Sequence, residues 1–161
     1  QFVAKFRYLG ENRPTKVPSK KDQLSAEQKK LWQEFAKKHL KVTLEGVLET
    51  FGDELYLVPL GLPDLRKVKI ARNGLHLGTF KKNRFEPSFA LGLALRPSEV
   101  RYSVAITPED FVHYVAGETI QLKESHPNGW YQVVIEGNGL GFAKVTGQTL
   151  KNFYPKGLRF R

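Results

Sequence analysis

The sequence predicts an α+β protein: a small helix-and-hairpin unit, then a mixed β-barrel with short helices. Three observations carry that expectation. One stretch near residue 30 has clean helical spacing of apolar residues, and the C-terminal half breaks into many short β-prone runs separated by Gly, Pro and Asn. The length of 161 residues with 40% hydrophobic content is enough for a real core in one or two domains.

Phe2 to Tyr8 alternates apolar and basic residues and reads as a strand with no nearby partner. Gly10 to Asp22 is polar and basic, contains Pro14 and Pro18, and reads as a linker. Ser25 is a good helix N-cap, and Gln28 completes a capping box. The helix should run from Ala26 to His39, with Leu31, Trp32, Phe35 and Ala36 facing a core. Val42–Phe51 and Leu55–Leu60, joined at Gly52-Asp53, form an expected hairpin. Pro59, Gly61, Pro63 and Asp64 mark an expected boundary.

Beyond it, Lys67 to Arg72 alternates basic and apolar residues, so a half-buried strand would present Lys67, Lys69 and Arg72 to solvent. Asn73-Gly74 is a turn, Leu75–Phe80 a short strand, and Lys81-Lys82-Asn83-Arg84 a basic loop suited to water or to phosphate. Phe89–Leu95, apolar nearly all round, reads as a short buried helix. Arg101–Ile106 is an expected strand. Thr107-Pro108-Glu109-Asp110 starts a helix, with Thr as cap, Pro at the first position and acids at the positive end. Thr119–Leu122, Trp130–Ile135 and Leu140–Val145 are expected strands, with Pro127-Asn128-Gly129 and Gly137-Asn138-Gly139 as turns.

Charge narrows the partner. There are 26 Lys and Arg against 16 Asp and Glu, for a formal net charge of +10, which favours a polyanion. The signs alternate in blocks along the chain, and Gly141 to the C-terminus carries five cations and no acid. That last stretch adds Phe142, Asn152, Phe153 and Tyr154 to its cations, a composition suited to single-stranded or irregular RNA. No apolar run approaches the roughly 18 residues of a membrane span, so no membrane partner is expected. With no cysteine, thiolate metal sites and cysteine nucleophiles are excluded for this chain, and a cytoplasmic setting fits. The four His residues show no paired metal-ligand spacing, Gly137 to Gly141 lacks the spacing of a phosphate loop, and Ser88, Ser98, Ser103 and Ser125 lack a nucleophile context. No catalytic, cofactor or metal residue is therefore assigned.

An ordered set of motifs carries a resemblance. Leu75-His76-Leu77-Gly78, Arg84-Phe85-Glu86-Pro87-Ser88, Leu91–Leu95, Ile106-Thr107-Pro108-Glu109, Gly141-Phe142-Ala143-Lys144 and Leu150-Lys151-Asn152-Phe153-Tyr154-Pro155 resemble the C-terminal PUA-like domain of RsmF-type rRNA cytosine-C5 methyltransferases. Gln1 to Lys5 resembles the last strand of that family's methyltransferase domain. The resemblance implies four segments: the end of a methyltransferase domain (1–9), a linker (10–23), a small α+β intermediate domain (24–63) and a PUA-like RNA-binding domain (64–161). It further implies a parent enzyme using S-adenosylmethionine and two cysteines on a cytosine, with rRNA or the small ribosomal subunit and the absent N-terminal methyltransferase domain as partners. This chain has no cysteine and is expected to bind RNA without methyl transfer of its own. The expected contacts are Arg72, Lys81, Lys82, Arg84, Lys144, Lys151, Lys156 and Arg159 to phosphates, with Asn152 and Tyr154 shaping or touching the RNA surface. Tyr154 keeps a second reading as a lock for the terminal segment. The rival function is a protein-interaction module that docks on a ribosomal protein or on the catalytic domain.

Overall fold

The computed structural model describes residue 22, residues 24–60 and residues 74–160. The expected N-terminal strand, the linker apart from Asp22, and the basic strand at 67–72 lie outside these. The described elements form two sheets and a few short helices, an α+β arrangement.

Helix α1 spans Ala26–His39 and starts as its sequence requires: Ser25 Oγ accepts from Gln28 N and Gln28 Oε1 accepts from Ser25 N. Strands β1 (Val47–Phe51) and β2 (Glu54–Val58) form the hairpin about Gly52-Asp53. The first strand begins five residues later than expected. Val47 pairs with Val58, and the next residue on the partner strand is Pro59, which has no N–H to extend the ladder.

Strands β3 (Leu75–Lys81) and β4 (Arg84–Pro87) form a second hairpin, and β2 pairs with β3, giving a four-stranded antiparallel sheet in sequence order. This sheet thus draws strands from both sides of the Pro- and Gly-rich stretch where the sequence pattern marks a boundary. Lys81 and Arg84 face each other across a tight turn, with Asn83 at φ 58°, so the expected basic loop is a hairpin tip. Helix α2 (Phe89–Ala94) follows, capped by Ser88 Oγ, which accepts from Leu91 N and donates to the His76 carbonyl. Leu91 and Gly92 are buried but Leu93 is 52% exposed, so one side of this helix faces solvent, contrary to the all-round burial expected.

Strand β5 (Ser103–Ala105) runs parallel to β6 (Ile120–Ile135), joined by helix α3 (Pro108–Ala116), and β6 pairs antiparallel with β7 (Asn138–Lys151). Here the structure corrects two turns. Pro127-Asn128-Gly129 does not reverse the chain: the run from 120 to 135 is one long strand with irregular register at this point. Asn128 Oδ1 accepts from Gly147 N across the ladder and the Pro127 carbonyl accepts from the Tyr131 hydroxyl four residues on, so these bonds absorb the turn-prone residues as a bulge. The true reversal is at Glu136-Gly137, both with positive φ (47° and 80°), one residue before the expected turn.

Two cores result. One packs Trp32, Phe35 and Leu40 on Leu55, Leu77, Phe80, Phe85 and Leu91. The other gathers Val104, Ile106, Tyr114, Tyr131, Val133, Ala143 and Val145. Neighbours on β7 serve different cores: Phe142 belongs to the first and Ala143 to the second, as strand alternation demands. The second sheet therefore lies between the two.

Candidate nucleic-acid interface

The expected contacts sort into three places. Lys81 and Lys82, with Arg84 opening β4, occupy the exposed β3–β4 hairpin tip. The Arg84 guanidinium reaches Glu86 at 3.0 Å, an exposed pairing that leaves its other nitrogens free for a phosphate. Acids lie close to the tip, since Glu27 and Asp53 border the same shallow depression as Lys81 and Lys82. Arg72 lies outside the described residues.

The second place is β7 and the segment after it. Lys144 and Lys151 are exposed, and neither is ion-paired to a described carboxylate. Lys144 sits opposite Trp130 in the β6–β7 ladder. The Trp130 ring lies 4.8 Å from that of Phe153, inclined by 57°, and Lys151 Nζ is 5.9 Å from the Phe153 centroid. Phe153 is 39% exposed, while Trp130 packs on the first core. Cations and aromatics thus meet here on a backbone held by paired strands. The sequence pattern points to Lys144 and Lys151 but not to Trp130 or Phe153 as contacts; their pairing across 23 positions is visible only once β6 and β7 are in register.

Asn152, Tyr154 and Arg159 make up the third place, and each is turned toward the protein. Asn152 Nδ2 donates to the Tyr114 carbonyl at 2.6 Å, and Asn152 Oδ1 accepts from Tyr154 N at 2.6 Å. The Tyr154 ring meets Phe89 and Tyr114 edge-on at 5.2 and 5.4 Å, joining α2 to α3. Arg159 Nε and Nη2 approach the Tyr154 carbonyl at 3.4 and 3.3 Å, and the side chain lies over Gly117, where an added Cβ would meet Arg159 Nε at 2.2 Å. Gly117, at φ 82°, is the left-handed cap of α3. These contacts favour the reading of Tyr154 as a lock. Lys156 remains exposed in the short 3-10 turn Lys156–Leu158. Replacing Asn152 with Ala should lower stability by about 1–2 kcal/mol, because it removes one hydrogen bond that ties the terminal segment to α3 and one that shapes the segment itself. Urea unfolding checks this, with Lys156→Ala as a neutral control.

Two described titratable groups owe their shifts to the packing and capping around them. Burial pushes the Tyr114 hydroxyl far up, and it donates to the Leu140 carbonyl at 3.2 Å. The Glu109 carboxyl is held low by its own backbone N–H and by Thr107, as the start of a helix requires. Among the described residues no group of three or more His, Asp or Glu is placed to hold a metal, and no helix is long and apolar enough to cross a membrane.

Comparison with known proteins bears on the same two parts of the chain. Residues 34–95 match the RsmF rRNA methyltransferase first C-terminal domain, and residues 101–160 match the methyltransferase RsmF PUA domain. The chain belongs to the RsmF family, as its C-terminal pair of domains. It is similar to ribosomal RNA small subunit methyltransferase F of Shewanella loihica, with 29% identity over 121 residues, which is 74% of this chain. The chain spans 24% of that relative's length. In the RsmF frame the last part of α1, both hairpins and α2 fall within the first match, and β5 to β7 with α3 within the second.

Proposed function

We propose that this pair of RsmF domains binds rRNA and holds it in place for an S-adenosylmethionine-dependent catalytic domain that modifies a cytosine. The observation that carries the reading is the exposed surface of β7: Lys144 and Lys151, neither paired to a described carboxylate, flank an aromatic pair, in a chain with a formal charge of +10. Cations on paired strands bind phosphate without reading sequence, and they supply most of the affinity for nucleic acid. The hairpin tip at Lys81, Lys82 and Arg84 extends the phosphate-binding surface. The transfer step belongs to the catalytic domain, because cytosine attack in this reading needs a cysteine and the chain has none. The gap between the two family matches, at residues 96–100, supports a division between the two domains there.

The test is binding of fragments of small-subunit rRNA across a salt series. Replacing Lys81, Lys82 and Arg84 together with Ala should weaken binding at least tenfold at low salt. The slope of log affinity against log salt should fall by about 0.7–0.9 for each phosphate that the variant no longer neutralises. Unchanged affinity and slope would remove the hairpin tip from the interface. Binding that resists high salt would point instead to a protein partner.

A further inference from the structure

We propose that Trp130 and Phe153 form a stacking site for one unpaired RNA base, with Lys144 and Lys151 holding the phosphates on either side of it. The inference rests on the RNA-binding reading and narrows it from rRNA in general to a bulged, looped or otherwise unstacked nucleotide.

Four observations converge. Phe153 is 39% exposed although it lies two residues past a paired strand whose Phe142, Val145 and Leu150 are buried. Its neighbour Trp130 is anchored on the first core, and the backbone beside it is fixed by the β6–β7 ladder. The platform is therefore rigid before any ligand arrives, so little side-chain freedom is lost on stacking. Lys144 stands directly across from Trp130, and Lys151 lies over Phe153, so the aromatic pair has a cation at each side and no described carboxylate paired to either.

Of the other exposed apolar side chains, Phe51, Val112 and Leu158 lack this setting. Phe51, 82% exposed, stands opposite Glu54 at the tip of the acidic hairpin, a poor place for a phosphate. Val112 and Leu158 are exposed but offer no aromatic face. A base inside a helix presents only its edges, whereas an unpaired base exposes the flat face that an aromatic ring can cover. A ring beside lysines therefore selects for a nucleotide already out of its stack, and it does so with little regard to which base it is.

The experiment compares two RNAs of equal length and charge, a perfect hairpin and the same hairpin with one bulged 2-aminopurine. Wild-type chain should bind the bulged RNA more tightly and quench its fluorescence. Phe153→Leu should weaken binding of the bulged RNA by roughly 5- to 100-fold and abolish the quenching, while affinity for the perfect hairpin and the salt slope stay the same. Phe153→Tyr, which keeps the ring, should behave as wild type and controls for damage to the fold. Equal quenching by wild type and Phe153→Leu, or no preference of wild type for the bulge, overturns the stacking site while leaving RNA binding in place. Failure of the wild-type chain to bind either RNA overturns the RNA-binding reading itself.

Discussion

Replacing Gly92 with Ala should lower the melting temperature by about 10 °C or more. An added Cβ would lie 2.4 Å from the Gly141 Cα, 2.5 Å from the Gly141 carbonyl carbon and 2.8 Å from Phe142 N. All three are backbone atoms of β7, so no side chain can swing aside. Helix α2 would have to lift off the strand, and lifting it strains the bonds that hold its C-terminal end. Gln132, wholly buried, donates from Nε2 to the Gly92 and Leu95 carbonyls, both at 2.8 Å. Overpacking of this kind plus the loss of buried hydrogen bonds amounts to roughly 3–5 kcal/mol, a large share of the usual stability of a domain. Helix propensity predicts the opposite sign, since Ala is favoured over Gly by about 1 kcal/mol in a helix interior. Thermal unfolding followed by circular dichroism separates the two, with Gly157→Ala, whose Cβ would meet nothing within 4 Å, as the neutral control. A Gly92→Ala protein as stable as wild type would mean that α2 does not press on β7 as described.

That contact also shows where the sequence stops being informative. Phe89 to Leu95 reads as a helix from its composition, and Ser25-Gln28 and Thr107-Asp110 read as caps, because helix starts are local chemistry. The partner of Gly92 is another glycine 49 positions later, and no local pattern announces it. Pro127-Asn128-Gly129 fails for the converse reason: its turn chemistry is real, but Asn128 spends it on Gly147 across the ladder, and a 16-residue strand runs through. The Pro- and Gly-rich stretch after β2 is likewise a strong local stop, yet Leu55 to Leu57 pair with Leu75 to Gly78 beyond it. At the interface, the lysines of β7 are legible because exposed cations alternate with apolar residues along the strand. The Trp130–Phe153 pair is not, and neither is the double use of the Asn152 amide, because both depend on which segments the fold brings side by side.

Acid should destabilise the protein through His39 well before most carboxylates are protonated. The ring is 6% exposed at the end of α1, stacked on Phe35 at 4.6 Å and edge-on to Tyr102 at 5.7 Å. Burial, reinforced by the neighbouring Lys38 charge and opposed by a hydrogen bond with the Trp130 backbone, brings its pKa from 6.5 down to about 4. Its Nδ1 is buried without a partner, as suits a neutral ring. Below pH 6.5 the unfolded chain takes up a proton at this position that the folded chain refuses until about pH 4. The unfolded state thus binds more protons in that window, so stability rises with pH from 4 to 6.5 and is unaffected by this group above it. The full difference is about 3 kcal/mol. Urea unfolding of wild type and of His39→Phe at pH 7.5, 6, 5 and 4 isolates the effect, because the other histidines and the carboxylates titrate alike in both proteins. The gap between the two curves should shift in favour of His39→Phe by about one proton's slope between pH 6 and 4.5. Parallel curves would show that His39 is hydrated or charged in the folded state, and the packing of the end of α1 against Tyr102 would then have to be looser than the ring contacts describe.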